Sequence, residues 1–186
     1  MTRSPDDDGQ ADVRAAQAGD EAAFARLYRA THPGLLRYVS ALSGADAEDV
    51  CAEAWAQACR DLGRFRGGTD DFRAWIARIA RNRATDLHRA RGRRPAESLP
   101  PDAMPDRPAD ATTDAAALEA MDTARVLRAL ATLPPDQAEA VLLRVVLGLD
   151  AKRAGAVLGK RAGAVRTASY RGLRTLAATF DEDASS

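Results

Sequence analysis

The sequence predicts an all-α fold made of two small helical domains joined by a flexible linker. Apolar residues recur at three- and four-residue spacing, and the strict alternation of a strand is almost absent. Aromatic residues make up only 5% of the chain, so any core is thin and helical. The segment 95–114 is rich in Pro and Asp and almost lacks large apolar residues, as is typical of flexible linkers.

The net charge of zero hides strong regional charges along the 186 residues. Residues 64–94 carry 10 basic and 3 acidic groups, and residues 144–176 carry 8 and 1. Residues 95–124, which include the linker, carry 1 basic and 7 acidic groups. Two separated basic zones are expected for two contacts along a polyanion, although ordinary solvated helix faces would show the same pattern.

The cysteine content and the hydropathy favour a reduced, cytoplasmic setting. Cys51 and Cys59 are too few for a disulfide framework or a zinc site, and their spacing matches no CxxC redox pattern. No run of 18 apolar residues occurs, and the acidic N-terminus lacks the apolar core of a signal peptide. We therefore expect neither secretion nor a membrane span.

The predicted first domain covers residues 10–94 and follows a disordered acidic tail, 1–9. Asp20 is expected to cap a helix that runs to Tyr28, and Pro33 to start another that ends at Gly44.

Two further helices complete the first domain. Asp46 opens one that reaches about Leu62 and carries acidic residues in its first turn, near the positive end of the helix dipole. A loop over 64–71 precedes a long helix from about Asp71 to Arg91.

The long helix is predicted to be amphipathic, with one apolar and one polar side. Its apolar side comprises Phe72, Trp75, Ile76, Ile79, Ala80 and Leu87. Its polar side offers guanidinium, amide, hydroxyl and imidazole groups, which suit phosphates and bases: Arg78, Arg81, Asn82, Thr85, His88 and Arg89. In the preceding loop Phe65 lies between Arg64 and Arg66, where it either stacks on an unpaired base or plugs the core.

The predicted second domain, 115–180, contains a helix-turn-helix and is followed by an acidic tail, 181–186. The prolines at 134 and 135 start a helix that continues through Val146. Asp150 caps a short helix that ends at Leu158, and Gly159 forms the turn into a helix over 162–178.

The last helix is also predicted to be amphipathic. Val165, Ser169, Gly172, Leu173 and Leu176 share its apolar arc. The other arc and the preceding turn carry the residues suited to the DNA major groove: Lys160, Arg161, Arg166, Thr167, Tyr170, Arg171 and Arg174.

The order of these parts resembles a bacterial extracytoplasmic-function (ECF) sigma factor of the sigma-70 family, over about residues 20–92 and 120–178. The segment from Asp46 to Trp55 is similar to the part of sigma region two that binds the polymerase β′ clamp, and this implies core binding by Asp46, Glu48, Asp49 and Glu53. The run from Phe72 to Asp86 resembles the helix that melts the promoter and reads its minus-10 box.

The C-terminal part resembles region four of that family. Leu133-Pro134 opens the domain, and Val165 to Ala177 corresponds to the helix that reads the minus-35 box. The resemblance implies that the protein binds promoter DNA and the polymerase β flap. It implies no cofactor. In some members of the family an anti-sigma protein is a further partner. Lys152 and Arg153 stand where relatives commonly have an acidic and an apolar residue, so they could supply extra phosphate contacts.

The sequence is compared with two other classes of function because each accounts for part of it. A stand-alone helix-turn-helix regulator explains residues 134–178 but leaves the basic helix 71–91 unexplained. An enzyme would have to use His32, His88 or the two cysteines, which form no triad, metal cluster or phosphate loop, so the sequence predicts that the protein is not an enzyme.

Overall fold

The computed structural model describes residues 5–93, 126 and 128–184, and every regular element in them is helical. The N-terminal domain comprises α1 (Pro5–Gln17), α2 (Glu21–Ser43), α3 (Ala47–Asp61) and α4 (Thr69–Arg93). The C-terminal domain comprises a helical stretch over 128–131, then α5 (Pro135–Val141), α6 (Ala151–Leu158) and α7 (Ala162–Ala184). The predicted linker 95–114 lies outside the described residues.

Both predicted tails overlap with helices. α1 begins at Pro5, so the disorder predicted for 1–9 is wrong from residue 5 onward. The helix forms because Val13 and Ala16 are buried against the rest of the domain. The acidic residues in the first turn of α1 led to the prediction of disorder. α7 likewise extends to Ala184, into the predicted tail 181–186.

α2 is one continuous helix, and the prediction that Pro33 begins a new one is wrong. Asp20 caps it as predicted, since its carboxylate accepts a hydrogen bond from the Ala23 amide at 3.0 Å, and Gly44 follows its last residue. Interior proline typically costs about 3 kcal/mol. Buried side chains continue on one face through the proline, from Leu27 to Leu35, and this packing outweighs that cost.

An aromatic cluster forms the centre of the N-terminal domain. Trp55 on α3 packs against Phe24 and Phe72 with ring centroids 6.0 Å apart in each case. Its indole N–H donates to Nδ1 of His32 at 3.2 Å, and the imidazole stacks on Tyr28. His32 therefore has a structural role within a helix rather than at a helix start.

α5 passes into a π-helical stretch, Leu142–Val146, where sequence periodicity predicted a regular helix. The Leu147 amide donates to the Leu142 carbonyl at 3.1 Å, one residue farther back than in an α-helix. The wider turn buries Leu142 and Leu143 while Val145 stays 58% exposed.

The helix-turn-helix forms as predicted. The Asp150 carboxylate accepts from the Arg153 amide at 2.7 Å, and Gly159 ends α6 in the left-handed conformation at φ +66°. Glycine inside a helix costs up to about 1 kcal/mol relative to Ala. The turn nevertheless needs Gly155, because a Cβ there would lie 2.5 Å from the Lys160 carbonyl oxygen.

The apolar arc of α7 agrees with the prediction except at one position. Val165, Ser169 and Leu176 are buried, but Leu173 is 44% exposed. α7 lies close to α5 at Gly172, where a Cβ would lie 2.8 Å from Val141 Cγ2. Because the contact between α7 and α5 includes Gly172, the Leu173 side chain lies at the edge of that contact.

The two domains pack against each other, an arrangement that no sequence pattern indicated. Their buried apolar residues belong to one cluster, and α4 packs against α6. α2 also meets the π-helical stretch, since a Cβ at Gly34 would lie 3.2 Å from the Val146 carbonyl oxygen. The polar side of α4 therefore lies beside the C-terminal domain.

Candidate nucleic-acid interface

The apolar and polar sides of α4 follow the predicted division. Phe72, Ile76, Ile79 and Ala80 are buried. Trp75 and Leu87 are half-buried at the edge of the core. On the polar side the exposed members are Arg78, Asn82, His88 and Arg89, whereas Arg81 and Thr85 are half-buried.

Arg81 is engaged by the C-terminal domain. Its Nε and Nη2 atoms donate to the two carboxylate oxygens of Glu139 on α5 at 2.9 and 3.0 Å. These hydrogen bonds raise the pKa of the guanidinium above its usual value. Arg81, predicted to hold a phosphate, thus holds a carboxylate in this structure.

Two other polar side chains of α4 make local contacts. The Thr85 hydroxyl donates to the Arg81 carbonyl at 2.8 Å, within the same helix. His88 Nε2 lies 2.8 Å from the Leu42 carbonyl near the end of α2, which favours a proton on that nitrogen. His88 is still exposed, so its other ring atoms remain open to a ligand.

Phe65 plugs the core, which is one of the two roles that the sequence left open for it, and its ring is not available to stack on an unpaired base. Only 9% of the residue is exposed, and its ring lies 4.9 Å from that of Trp75 and 5.7 Å from that of Phe72. Arg64 and Arg66 on either side are exposed. Arg66 donates to the carbonyls of Gly63 and Phe65 and so fixes the loop around the buried ring.

The acidic side of α3 is mostly open. Glu48, Asp49 and Glu53 are exposed, and the first two lie in the first turn as predicted. Asp46 differs, because its carboxylate forms a two-pronged ion pair with Arg91 on α4. The hydrogen bonds from Arg91 lower the pKa of Asp46, and they occupy a carboxylate that was predicted to contact polymerase.

The outer face of α7 is exposed along its length. Arg166, Thr167, Arg171 and Arg174 are exposed, and Tyr170 is 63% exposed. Within the described residues none of these arginines forms an ion pair; neither does the exposed Arg161 in the turn before the helix. Lys160 differs, because its ammonium group lies 2.5 Å from the Asp136 carboxylate.

The sequence analysis did not anticipate the interdomain ion pairs made by three residues: Glu139, Arg153 and Asp71. Arg153 Nε donates to the Asp71 carboxylate at 2.7 Å, and one of its Nη atoms donates to Asp150 at 2.7 Å. The only sequence signal was the unusual basic residue at 153. The structure places that side chain between the domains instead of leaving it free for a phosphate.

The cysteines and histidines form no catalytic arrangement in the described part of the chain. Cys51 is buried, which raises the pKa of its thiol to about 11, whereas Cys59 is exposed. Across residues 5–93 and 128–184 no three His, Cys, Asp or Glu side chains come together as metal ligands. None of the described helices has the length and apolarity needed to cross a membrane.

Comparisons with known proteins agree with this architecture. The Sigma-70 region 2 profile matches residues 27–94, and the Sigma-70 region 4 profile matches residues 123–176. The first match contains α3 and α4, and the second contains the helix-turn-helix.

Individual relatives match most of the chain. The ECF RNA polymerase sigma factor BldN of Streptomyces coelicolor is 36% identical over 92% of this chain and 66% of its own length. SigD of Mycobacterium tuberculosis, also named an ECF RNA polymerase sigma factor, is 36% identical over 88% of this chain and 80% of its own. The solved structure of CnrH in complex with the cytosolic domain of CnrY matches with a TM-score of 0.66 and 25% identity, covering 94% and 98% of the two chains. With both regions in order and this degree of identity, the chain belongs to the ECF RNA polymerase sigma factors of the sigma-70 family.

Proposed function

We propose that three surfaces of this chain divide the work of promoter-specific transcription initiation. The acidic side of α3 binds core RNA polymerase, the polar side of α4 holds the opened minus-10 region, and the outer face of α7 reads the minus-35 box. The observation that carries the proposal is the row of exposed arginines on α7 without carboxylate partners in the described structure, on a helix-turn-helix of the same chain as α4. Uncompensated guanidinium groups on a helix that fits the major groove suit guanine and phosphate oxygens.

The acidic surface of α3 supports the polymerase-binding part. Glu48, Asp49 and Glu53 project from one helix without ion pairs in the described residues. Exposed complementary charges raise association rates and orient a partner. Asp46 joins this surface only after Arg91 releases it. The β flap, and an anti-sigma protein where one exists, remain partners implied by family membership.

The function rests on binding, and we propose no catalytic role for the chain. Cys59 and His88 are exposed on α3 and α4, Cys51 is buried, and Nδ1 of His32 accepts the hydrogen bond from the Trp55 indole. A stand-alone regulator remains the alternative, and it would bind duplex DNA tightly without polymerase.

Transcription with purified components tests the proposal. Core polymerase plus this protein should initiate at a defined set of promoters, and the protein alone should bind the same duplexes poorly. Tight and specific binding of free duplex, with no promoter-directed transcripts, would establish the stand-alone regulator instead.

A charge-matched pair of variants tests the docking surface. Glu53→Lys should weaken capture of core polymerase, because it reverses one of the exposed charges of the acidic surface. Glu21→Lys changes the net charge equally at an exposed site on α2 and should leave capture unchanged. Both proteins should keep wild-type helicity. Equal capture by the two variants would remove α3 from the proposed interface.

A further inference from the structure

A side chain of α1 fixes the loop that joins α3 to α4, residues 62–68. Gln17 is the last residue of α1 and lies N-terminal to the region 2 match, which begins at residue 27. Its side-chain amide nitrogen donates to the Leu62 carbonyl at 2.8 Å and to the Phe65 carbonyl at 2.9 Å. A side-chain amide nitrogen has two N–H groups, so both donors of Gln17 are used on this loop.

The two carbonyls lie at the two ends of one turn of the α3–α4 loop. The Phe65 amide itself donates to the Leu62 carbonyl at 3.0 Å, so Gln17 holds a turn that the backbone also closes. The loop contains three glycines, at 63, 67 and 68, and glycine loses more conformational freedom on ordering than any other residue. A donor that binds both ends of the turn therefore restricts a segment that its own composition leaves flexible.

The other end of the loop is anchored on α4. The Phe65 ring packs 5.7 Å from that of Phe72, and the Gly68 amide donates to the Asp71 carboxylate at 3.3 Å. Gly67 has a φ of +141°, and a Cβ there would lie 2.6 Å from the Asp71 Cβ. The loop is thus held by α4 at its C-terminal end and by α1 at its N-terminal end.

This arrangement presents Arg64 to solvent. Arg64 lies inside the turn that Gln17 holds, and its exposed side chain makes no hydrogen bond or ion pair with the described residues. Arg66, the other cation of the loop, donates to the Gly63 and Phe65 carbonyls at 3.2 and 2.7 Å. Arg64 is therefore the loop guanidinium that is open to a phosphate or a base.

We propose that Gln17 is a positioning residue for the minus-10 contact, because it holds the turn that carries Arg64 before the opened strand binds. A loop that is already ordered loses less conformational entropy on binding than a mobile one. The inference rests on the proposed minus-10 surface of α4 and extends that surface to the loop before the helix.

Limited digestion with trypsin tests the effect of Gln17 on the free protein. Gln17→Met keeps the length of the side chain but removes both donors, so the bonds after Arg64 and Arg66 should be cleaved about fivefold faster than in wild type. Gln10→Met is the same substitution at another half-buried position of α1, where the side chain makes no hydrogen bond to the described residues. It should be cleaved at the wild-type rate. Mass spectrometry of the fragments separates these two bonds from other tryptic sites.

A double-mutant cycle on open-complex formation tests whether Gln17 acts through Arg64. The measurement uses saturating core polymerase and a promoter that the wild-type protein opens. Gln17→Met and Arg64→Ala should each reduce open-complex formation about fivefold, and Gln10→Met should not. Gln17→Met should cause no further loss in an Arg64→Ala background. In an Arg78→Ala background, which removes a cation of α4 instead, it should keep its full effect.

Three results would overturn the inference. These are wild-type cleavage of the loop in Gln17→Met, wild-type open-complex formation by either single variant, and an equal loss from Gln17→Met with and without Arg64. The last result is the one expected if Gln17 contributes only to general stability. Failure of the proposed function would show differently, because the wild-type protein would then direct no promoter-specific transcription with core polymerase.

Discussion

The helices α4 and α7 carry similar basic faces but differ in what those faces contact. On α4, Arg81 is bound to Glu139 and Arg83 donates to Gln57 at 2.8 Å. On α7, Arg166, Arg171 and Arg174 have no carboxylate partner within the described structure. A basic helix face identified from sequence therefore shows which groups could bind a nucleic acid. Whether those groups are free to do so depends on which acidic residues tertiary packing places beside them.

The largest expected difference between the two helices lies in how much the fold depends on each. Phe72→Ala on α4 should lower the free energy of unfolding by about 3–5 kcal/mol, because the side chain is fully buried and touches three other aromatic rings. Val165→Ala on α7 removes two buried carbons and should cost about 1.6 kcal/mol at roughly 0.8 kcal/mol per carbon. Urea unfolding followed by circular dichroism measures both, and equal losses would contradict the comparison.

The next effect concerns promoter choice by α7. Arg166→Ala should relax preference at one or two minus-35 positions by roughly 1–3 kcal/mol, the discrimination given by a two-pronged arginine–guanine contact. Arg174→Ala, two turns farther along the helix, should weaken all promoters alike.

Transcription from a randomised minus-35 library compares these two variants directly. Both side chains are exposed, so neither substitution should alter stability appreciably. If Arg166→Ala retains the wild-type sequence preference, Arg166 is not a base reader.

A smaller effect distinguishes phosphate contacts on α4. Arg78→Ala should reduce open-complex formation on every promoter and lower the log–log salt slope by about one unit, the value for one lost phosphate contact. Open complexes measured between 50 and 200 mM salt, roughly the range over which such slopes are defined, provide the test. A loss confined to particular minus-10 sequences would make Arg78 a base reader instead.

The smallest effect is the pH dependence of the contact between α4 and α6. The hydrogen bond from Arg153 lowers the pKa of Asp71, so the contact stabilises the protein above the unfolded Asp pKa of about 3.9. This contribution is lost as the pH falls through the lowered value of the folded state. The stability difference between wild type and Asp71→Asn should be constant near neutral pH and shrink below about pH 4. A difference that persists at lower pH would contradict the assignment to this carboxylate.

Local signals in the sequence were sufficient for several elements. The caps at Asp20 and Asp150, the turn at Gly159 and the division of α4 into two sides depend on neighbouring residues, and all four are confirmed. The two-domain architecture was predicted from the family resemblance, because that resemblance depends on the order of the helices along the whole chain.

The errors arose where distant residues determine the outcome. Phe65 is buried because Phe72 and Trp75 surround it, so the loop sequence alone left both of its possible roles open. Asp46 pairs with Arg91 across 45 positions, and Arg81 pairs with Glu139 across 58. Pro33 lies inside α2 because packing on both sides of it outweighs its local preference. The roles of the individual polymerase- and DNA-binding residues stay predictions.

The placement of the tryptophans gives the protein a built-in optical reporter. The chain has 2 tryptophans, Trp55 and Trp75, and both belong to the aromatic cluster of the N-terminal domain. Excitation at the red edge of the indole band therefore monitors that domain alone, while circular dichroism averages over all the helices. If the C-terminal domain melts first, the dichroic transition will precede the emission shift, and the gap between the two curves will measure how strongly the domains are coupled.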